Sequence, residues 1–566
     1  MQLNDSAIRN AEPGKKTRER TDGNGFDPSP AGAQRGASNA SSAWMRTCLA
    51  GAAVFLWLAA TAWFRPLTAP DEGRYVGVAF EMLRSGNWLV PRLDGLPFFH
   101  KPPLFYWMSA TAMALLGPSE WSARLPSILG ATLTAMGLLL FLRRWAGARI
   151  AWLSVVVLLT MPYFYVAAQF ANLDMLVASC IAATVLSAVH ATLSREQGAA
   201  WRGALAGAFL FAALGILAKG LIGLVLPGLI FLAWCAGTRR FGSAWLLAWL
   251  PGWGLFLAVA APWLVAMQLR YPAFFDYFVV TQHFRRFAAS GFNNEHAFWF
   301  YLPVIAGLTL PWFGWLAFAG WRRRQAWTGR VPGPRLSDVD WLMVIWCVAI
   351  VVFFSLPRSK LIGYVLPALP PLAYLTARVV TAVVARTGRA PAALRWTAGS
   401  AALICVSAIV LVGLLGVPPG ARLRLPAGET IGPDDQVVML DTYFYEIPFY
   451  WKLRRPVMVS GDWSPASMAE SDDWRNELFD AGQFDPAQGR KLLISSNALP
   501  ATLCVPRVTW LVGPSNSQLA HPWLAGVRLI AYNQQAAVWR FAGSPAPGAK
   551  CLEAPGAGSS KAAASS

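Results

Sequence analysis

The chain has 566 residues, of which 55% are hydrophobic and only 14% charged, and its formal net charge is +19. A soluble protein would carry roughly a quarter charged residues, and apolar runs near the ~20 residues that cross a bilayer recur along the sequence, so it reads as a polytopic α-helical membrane protein. An outer-membrane barrel is excluded because its strands are shorter and alternate in polarity, and nucleic acid is excluded as a partner because much of the positive surplus sits in short loops between apolar runs, where topology selection places it.

Residues 1–43 are polar and rich in Gly, Ser, Ala and Asn, which reads as a disordered cytoplasmic tail held inside by Lys15, Lys16, Arg18 and Arg20. Trp44–Phe64 lacks a clean small-residue cleavage site and reads as a retained anchor. The arginine clusters then set the order of crossings. A first helix at about 45–64 exits, and a long outside segment covers 65–123. Helices follow at about 124–142, 150–168, 175–193, a hairpin over 203–236, then 245–268, 298–320, 339–356, 361–384 and 396–417. Eleven crossings result, with 11–13 open, and residues 103–117 read as lying at the interface. The amino end is inside and the carboxyl end outside. Within the first outside segment, Tyr75, Val78, Ala79, Met82 and Leu83 make one apolar stripe over 72–85, with Gly86 as its stop. That pattern predicts an amphipathic helix lying on the membrane surface.

The composition changes after Val417. Gln436–Leu440, Pro456–Ser460, Lys491–Ser495, Val508–Val512 and Val527–Tyr532 read as short strands, so a small periplasmic α/β domain is expected at about 425–545, after a transmembrane domain over 44–420. Residues 546–566 read as a disordered tail. Cys48, Cys180, Cys235, Cys347 and Cys405 fall in apolar runs as packing residues, whereas Cys504 and Cys551 lie in the polar part, where a disulfide is open if the domain is periplasmic.

Translocated loops normally avoid Lys and Arg. Here they carry Asp71, Glu72, Lys101, Asp174, His283, Arg285, Arg286, Arg358 and Lys360, a set that suits an anionic ligand at the outer boundary. Each also has a plain structural reading. Asp71 and Asp174 open helices and fit N-caps. Lys101, in His100-Lys101-Pro102-Pro103, fits a lysine snorkelling to head groups, or a cation fixed by two prolines and directed at a phosphate. Arg286 fits a lipid-facing patch or a bidentate phosphate clamp. Lys360 and the Tyr364 hydroxyl fit a polar pocket or a chance interfacial pair. His100 and His283, with a carboxylate such as Glu81, are thin grounds for a divalent metal. Lys219 reads as a snorkelling lysine in the hairpin turn.

Taken together, Ala69-Pro70-Asp71-Glu72-Gly73-Arg74-Tyr75, His100-Lys101-Pro102-Pro103, Phe170-Ala171-Asn172-Leu173-Asp174, His283-Phe284-Arg285-Arg286-Phe287 and Ser359-Lys360-Leu361-Ile362-Gly363-Tyr364 resemble the protein O-mannosyltransferase superfamily, and within it the bacterial lipid A aminoarabinose transferases. The resemblance covers about 45–380. It implies the GT-C membrane glycosyltransferase fold with a carboxyl-terminal periplasmic domain, placed in a bacterial inner membrane. It implies inverting transfer of a sugar from an undecaprenyl-phosphate-linked donor to an envelope acceptor such as lipid A, with no cofactor assigned beyond the metal just mentioned. By the same resemblance Asp71 and Asp174 are the acidic site residues, and Lys101, Arg286 and Tyr364 hold the lipid phosphate. Glu72, Arg74 and Tyr75 line the entrance or support the first acid, with His283 and Lys360 in supporting places. The aminoarabinose transferases usually carry Glu directly before the lysine; this chain has His100, a poor partner for an amino sugar's ammonium near neutral pH. A protein, hopanoid or polysaccharide hydroxyl is the alternative acceptor. A lipid transporter without chemistry would place its polar residues near mid-membrane, and a scaffold would leave the loop motifs incidental.

Overall fold

The computed structural model describes residues 30–285, 294–325, 336–387, 390–470 and 473–543. The chain divides at Ala52 into a short first unit and a second, Ala53–Ser566, that holds every element of the site. Helix α1 (Pro30–Ala59) begins upstream of the apolar run, so the helix reaches into the stretch expected as an uncoiled tail.

Among the described residues seven helices are long and apolar enough to cross a membrane, or nine if two bent pairs each count as one span. The seven include α4 (Glu120–Trp145), α7 (Leu173–Glu196), α8 (Arg202–Lys219), α10 (Leu250–Arg270) and α13 (Asp338–Ser355). The bent pairs are α5 (Ala148–Leu159) with α6 (Pro162–Ala168), at 68°, and α11 (Tyr301–Leu308) with Phe313–Arg322 of α12 (Phe313–Gln325), at 112°. A 3-10 turn, Ile362–Ala368, feeds α14 (Leu369–Thr387), and α15 (Ala390–Leu415) follows. The apolar part of α1, Trp44–Ala59, and α9 (Ile222–Gly237) are shorter and coincide with the expected first and sixth crossings. Helix α3 (Leu104–Leu116) is the stretch expected at the interface.

Local chemistry sets the ends. Ser119 and Ser122 form a capping box at the start of α4, and Arg143 and Arg144 lie in its last turn, where the helix dipole favours cations. Helix α2 (Asp71–Ser85) stops at Gly86, whose φ of 68° is the left-handed conformation that favours glycine. Helix α2 covers the stretch expected to be a surface helix, and it is buried on more than its apolar stripe. Val76, Phe80 and Glu81 are buried along with Val78, Ala79 and Met82, so more than one face is covered. A Cβ on Gly73 would come within 3.0 Å of Tyr445, and Phe80 packs edge-on to Phe449 at 5.5 Å. The cover is the carboxyl-terminal domain, which the period of α2 alone could not reveal.

That domain is a six-stranded sheet ordered β5-β4-β3-β6-β8-β7, after a two-stranded ribbon, β1 (Arg92–Leu93) and β2 (Leu96–Pro97). Strands β3 (Gln436–Leu440), β4 (Met458–Gly461), β5 (Leu493–Ser495) and β6 (Thr509–Pro514) are parallel. Strands β7 (Arg528–Tyr532) and β8 (Ala536–Phe541) close one edge antiparallel, β8 having gone unpredicted. Val438, Leu440, Leu511 and Trp539 form its core. Helix α16 (Trp474–Phe484) joins domain to membrane part: Ala481 packs on Leu96 of the ribbon, and Phe484 meets Phe99 edge-on at 4.8 Å. Cys504 is disulfide-bonded, and Cys551 lies outside the described residues.

Candidate active site

The site is built on a buried ion cluster. Glu72 is fully buried and accepts from Arg124 Nε at 2.8 Å, Arg124 Nη2 at 3.0 Å and Arg65 Nη2 at 3.2 Å. It also accepts from the amides of Thr68 and Ala171, at 2.9 and 2.8 Å. The arginines donate their remaining protons to carbonyls: Arg65 to Gln169, 2.7 Å, and Arg124 to Ala62, 2.6 Å, and Pro66, 2.9 Å. Burial alone would raise the Glu72 carboxyl, but Arg124 and Arg65 outweigh it and hold it well below the usual carboxylate range. Of the two places the resemblance implied for Glu72, lining the entrance or supporting the first acid, full burial fits the second. Glu72 ties the end of α1, the start of α2, α4 and the loop before α7 into one node. That node fixes the chain on which Asp71 and Asp174 sit.

Asp71 is not an N-cap: Pro70 holds that position, and no side chain caps the helix. Its side chain is 53% exposed and accepts from Arg74 Nη2 at 2.7 Å. The other terminal nitrogen of Arg74 donates to Glu477 of α16, whose second oxygen accepts from Tyr445 at 2.7 Å. Burial opposes the charge on Arg74, but Glu477 more than offsets it and the guanidinium pKa is raised. Tyr75 packs against Phe105 and Tyr106, with centroids 6.3 and 6.4 Å away.

Asp174 is not a cap either, because Asn172 caps α7 by accepting from its amide at 3.0 Å. Its carboxylate pairs with Lys219, the last residue of α8. Lys219 Nζ also lies 5.0 Å from the centre of the Tyr364 ring. Gly363 makes this approach possible: a Cβ there would sit 2.9 Å from Asp174 Cγ. Tyr364 is only partly buried, and its hydroxyl has no hydrogen-bond partner among the described residues. Asp71 and Asp174 both lie within electrostatic reach of Tyr75 and of Lys219. The two acids, Lys219 and Tyr364 thus gather in one place.

His100 stacks on Phe98 at 4.7 Å, and its Nε2 is 2.6 Å from the Tyr277 hydroxyl. Tyr277 in turn donates to Asp480 of α16 at 2.8 Å. Lys101 follows on the turn before α3 and is partly buried. A π-helix, Asp276–Arg285, carries Tyr277 towards the expected clamp. Arg286 lies outside the described residues, as do the side chains of His283 and Arg285. Glu81 is engaged by the Gly95 amide at 2.9 Å, and among the described residues no three His, Cys, Asp or Glu side chains come together to hold a metal.

Lys360 is corrected: it does not share a pocket with Tyr364. It is 3% exposed, and its ammonium donates to the carbonyls of Pro357 and His296, the latter at 2.8 Å. There it ties the turn before Tyr364 to residues 294–296. Sequence reasoning missed Lys219, Glu477, Tyr277, Asp480, Arg65 and Arg124. Lys219, Arg65 and Arg124 carried a usable signal, since all are cations at the face where translocated loops avoid them.

The family model described as dolichyl-phosphate-mannose-protein mannosyltransferase matches residues 100–265. The undecaprenyl phosphate-alpha-4-amino-4-deoxy-L-arabinose arabinosyl transferase of Aeromonas salmonicida (strain A449) is 33% identical over 356 residues, 62% of this chain and 63% of that protein. The protein of the same name from Pectobacterium carotovorum subsp. carotovorum (strain PC1) is 32% identical over 376 residues, 64% of this chain and 65% of that protein. The chain thus spans just under two thirds of these relatives' length. Among solved structures, ArnT from Cupriavidus metallidurans bound to undecaprenyl phosphate superposes with a TM-score of 0.68 at 24% identity, covering 88% of this chain and 99% of that one. Its apo form gives 0.69 at 23% identity, covering 90% of this chain and 100% of that one. The chain has the GT-C membrane fold of ArnT and resembles the aminoarabinose transferases in sequence.

Proposed function

We propose that the chain is an inverting glycosyltransferase of a bacterial inner membrane, with its site on the periplasmic face. The donor is an undecaprenyl-phosphate-linked sugar and the acceptor a lipid A phosphate. The observation that carries this reading is the convergence of Asp71, Asp174, Lys219 and Tyr364, whose hydroxyl has no hydrogen-bond partner among the described residues. An acceptor oxygen attacks the anomeric carbon while the bond from that carbon to the phosphate oxygen breaks. The electron pair leaves with undecaprenyl phosphate. Lys101 and Arg286 stabilise the growing charge on the leaving group, the kind of electrostatic help that dominates such catalysis. Lys219 compensates Asp174, and Asp71 keeps an exposed carboxylate edge. A phosphate acceptor is already a nucleophile and needs no base. A hydroxyl acceptor would pass its proton to Asp71.

His100 favours a second reading of the sugar alone. It stands where the aminoarabinose transferases that the chain resembles usually carry Glu, and it is engaged by Tyr277, which suits a sugar without an ammonium.

Transfer assays with purified protein and each acceptor class test the assignment. Lys101→Ala and Arg286→Ala should each abolish most transfer. Wild-type rates in both would remove the phosphate clamp. Asp71→Asn should retain phosphate glycosylation and lose hydroxyl glycosylation.

A further inference from the structure

A cavity of about 910 Å³ lies between the residues that follow α1 and the linker that follows α15. Trp63, Phe64, Arg422, Arg424, Tyr450 and Trp451 line it, and Asp71, Asp174, Lys219 and Tyr364 do not. We propose that it holds the phosphate head group of an anionic membrane lipid, at a place separate from the transfer site.

A census of its charges points to an anion. Five charged side chains line the wall: Arg65, Glu120, Arg422, Arg424 and Glu429. Arg65 is committed to Glu72. Glu120 accepts from Tyr450 at 3.1 Å, and Glu429 pairs with Arg528 at 3.1 Å. Arg422 and Arg424 are exposed, and their guanidinium groups have no partner among the described residues. The charge left on the wall is therefore the two guanidinium groups of Arg422 and Arg424 against the single carboxylate of Glu120, which the neutral Tyr450 hydroxyl does not offset, so the balance is positive, and arginine is the side chain best matched to phosphate oxygens.

The surroundings point to a lipid rather than a dissolved ion. Trp63 is 67% exposed and Phe64 43%, beside the end of α1. Leu414 and Leu415, at the end of α15, are 62% and 75% exposed. Gly413 of α15 lies against Phe64, so the two helix ends meet here. Aromatic and aliphatic side chains left open beside free arginines are the pattern of a membrane–water boundary. A volume of this size accommodates a head group and the first carbons of its chains.

Native mass spectrometry of the detergent-solubilised full chain tests this, titrated with phosphatidic acid, phosphatidylcholine or inorganic phosphate. The wild-type protein should retain phosphatidic acid in preference to phosphatidylcholine. The Arg422→Gln/Arg424→Gln variant should bind it about 30-fold more weakly, two charge contacts being lost. The Arg322→Gln/Arg395→Gln variant, which removes two exposed arginines elsewhere, should bind as wild type. Undiminished retention by the first variant, or equal loss in both, would overturn the assignment. Equal retention of phosphatidylcholine would do the same. Inorganic phosphate binding as tightly as phosphatidic acid would make this a site for a free anion and overturn the lipid. Because the readout is binding, its failure is distinguishable from failure of the transfer reaction.

Discussion

Arg74 joins Asp71, on the membrane part, to Glu477, on the carboxyl-terminal domain, through its two terminal nitrogens. The exposed acid of the site is therefore aimed by a helix about four hundred residues away in the chain. Glu477→Gln should leave the fold intact and lower the turnover number with a hydroxyl acceptor about tenfold or more, the scale of one charged hydrogen bond, while transfer to a phosphate acceptor, which does not need Asp71 as base, stays near wild type. Glu477→Asp should recover part of that loss. An unchanged turnover number with a raised KM would place Arg74 in substrate binding instead.

Glu72 is paired with two buried guanidinium groups. Removing one member of such a cluster leaves uncompensated charge, so Glu72→Gln should destabilise the protein by roughly 3–5 kcal/mol. The pH dependence has a definite sign. The folded carboxyl titrates below its ordinary value of 4.5. Its contribution is complete above that value and fades as pH falls towards the lower folded one. Thermal melting in detergent should show the wild-type advantage over Glu72→Gln shrinking below about pH 4.5. An advantage that is constant across pH 3–7 would contradict the buried ion cluster.

Lys219 and Asp174 act as a pair. Lys219→Met and Asp174→Asn should each reduce transfer about 100-fold, with the double variant little worse than either, as expected of groups that work as a unit. Multiplicative losses in a transfer assay would mean that they act independently.

Gly363 leaves no room for a methyl group beside the Asp174 carboxylate. Gly363→Ala should displace that carboxylate and cut transfer about 100-fold, a size known for misplacements near 1 Å. A wild-type rate would show that the position of Asp174 is not critical.

Much of the membrane architecture was legible because apolar length and arginine placement report directly on crossing a bilayer. The sheet domain was legible from short apolar segments between turn residues, and β8 escaped because Ala536 and Ala537 weaken the strand signal. The buried side of α2 was not legible, since the surface covering it comes from Tyr445 and Phe449, far along the chain. Asp71 and Asp174 could be singled out by their neighbours in sequence. Their pairing could not: Lys219, although conspicuous as a cation at the outer face, meets Asp174 only through tertiary structure, as Glu477 meets the Arg74 that holds Asp71. The misreading of Lys360 has the same root, because a cation at the outer face can serve backbone carbonyls as readily as a phosphate. Arg65 and Arg124 broke the charge rule as plainly as Arg286 does, yet they sit at helix ends where they resemble topology signals.

The most direct measurement is mass spectrometry of lipid A and envelope glycans from cells that carry the wild-type chain, Asp71→Asn, Asp174→Asn or no copy. The account predicts a sugar-sized mass increment on lipid A phosphate that appears with the wild-type chain and is absent with Asp174→Asn and with no copy. Identical spectra from wild-type and copy-free cells, in lipid A and in every envelope glycan, would contradict it.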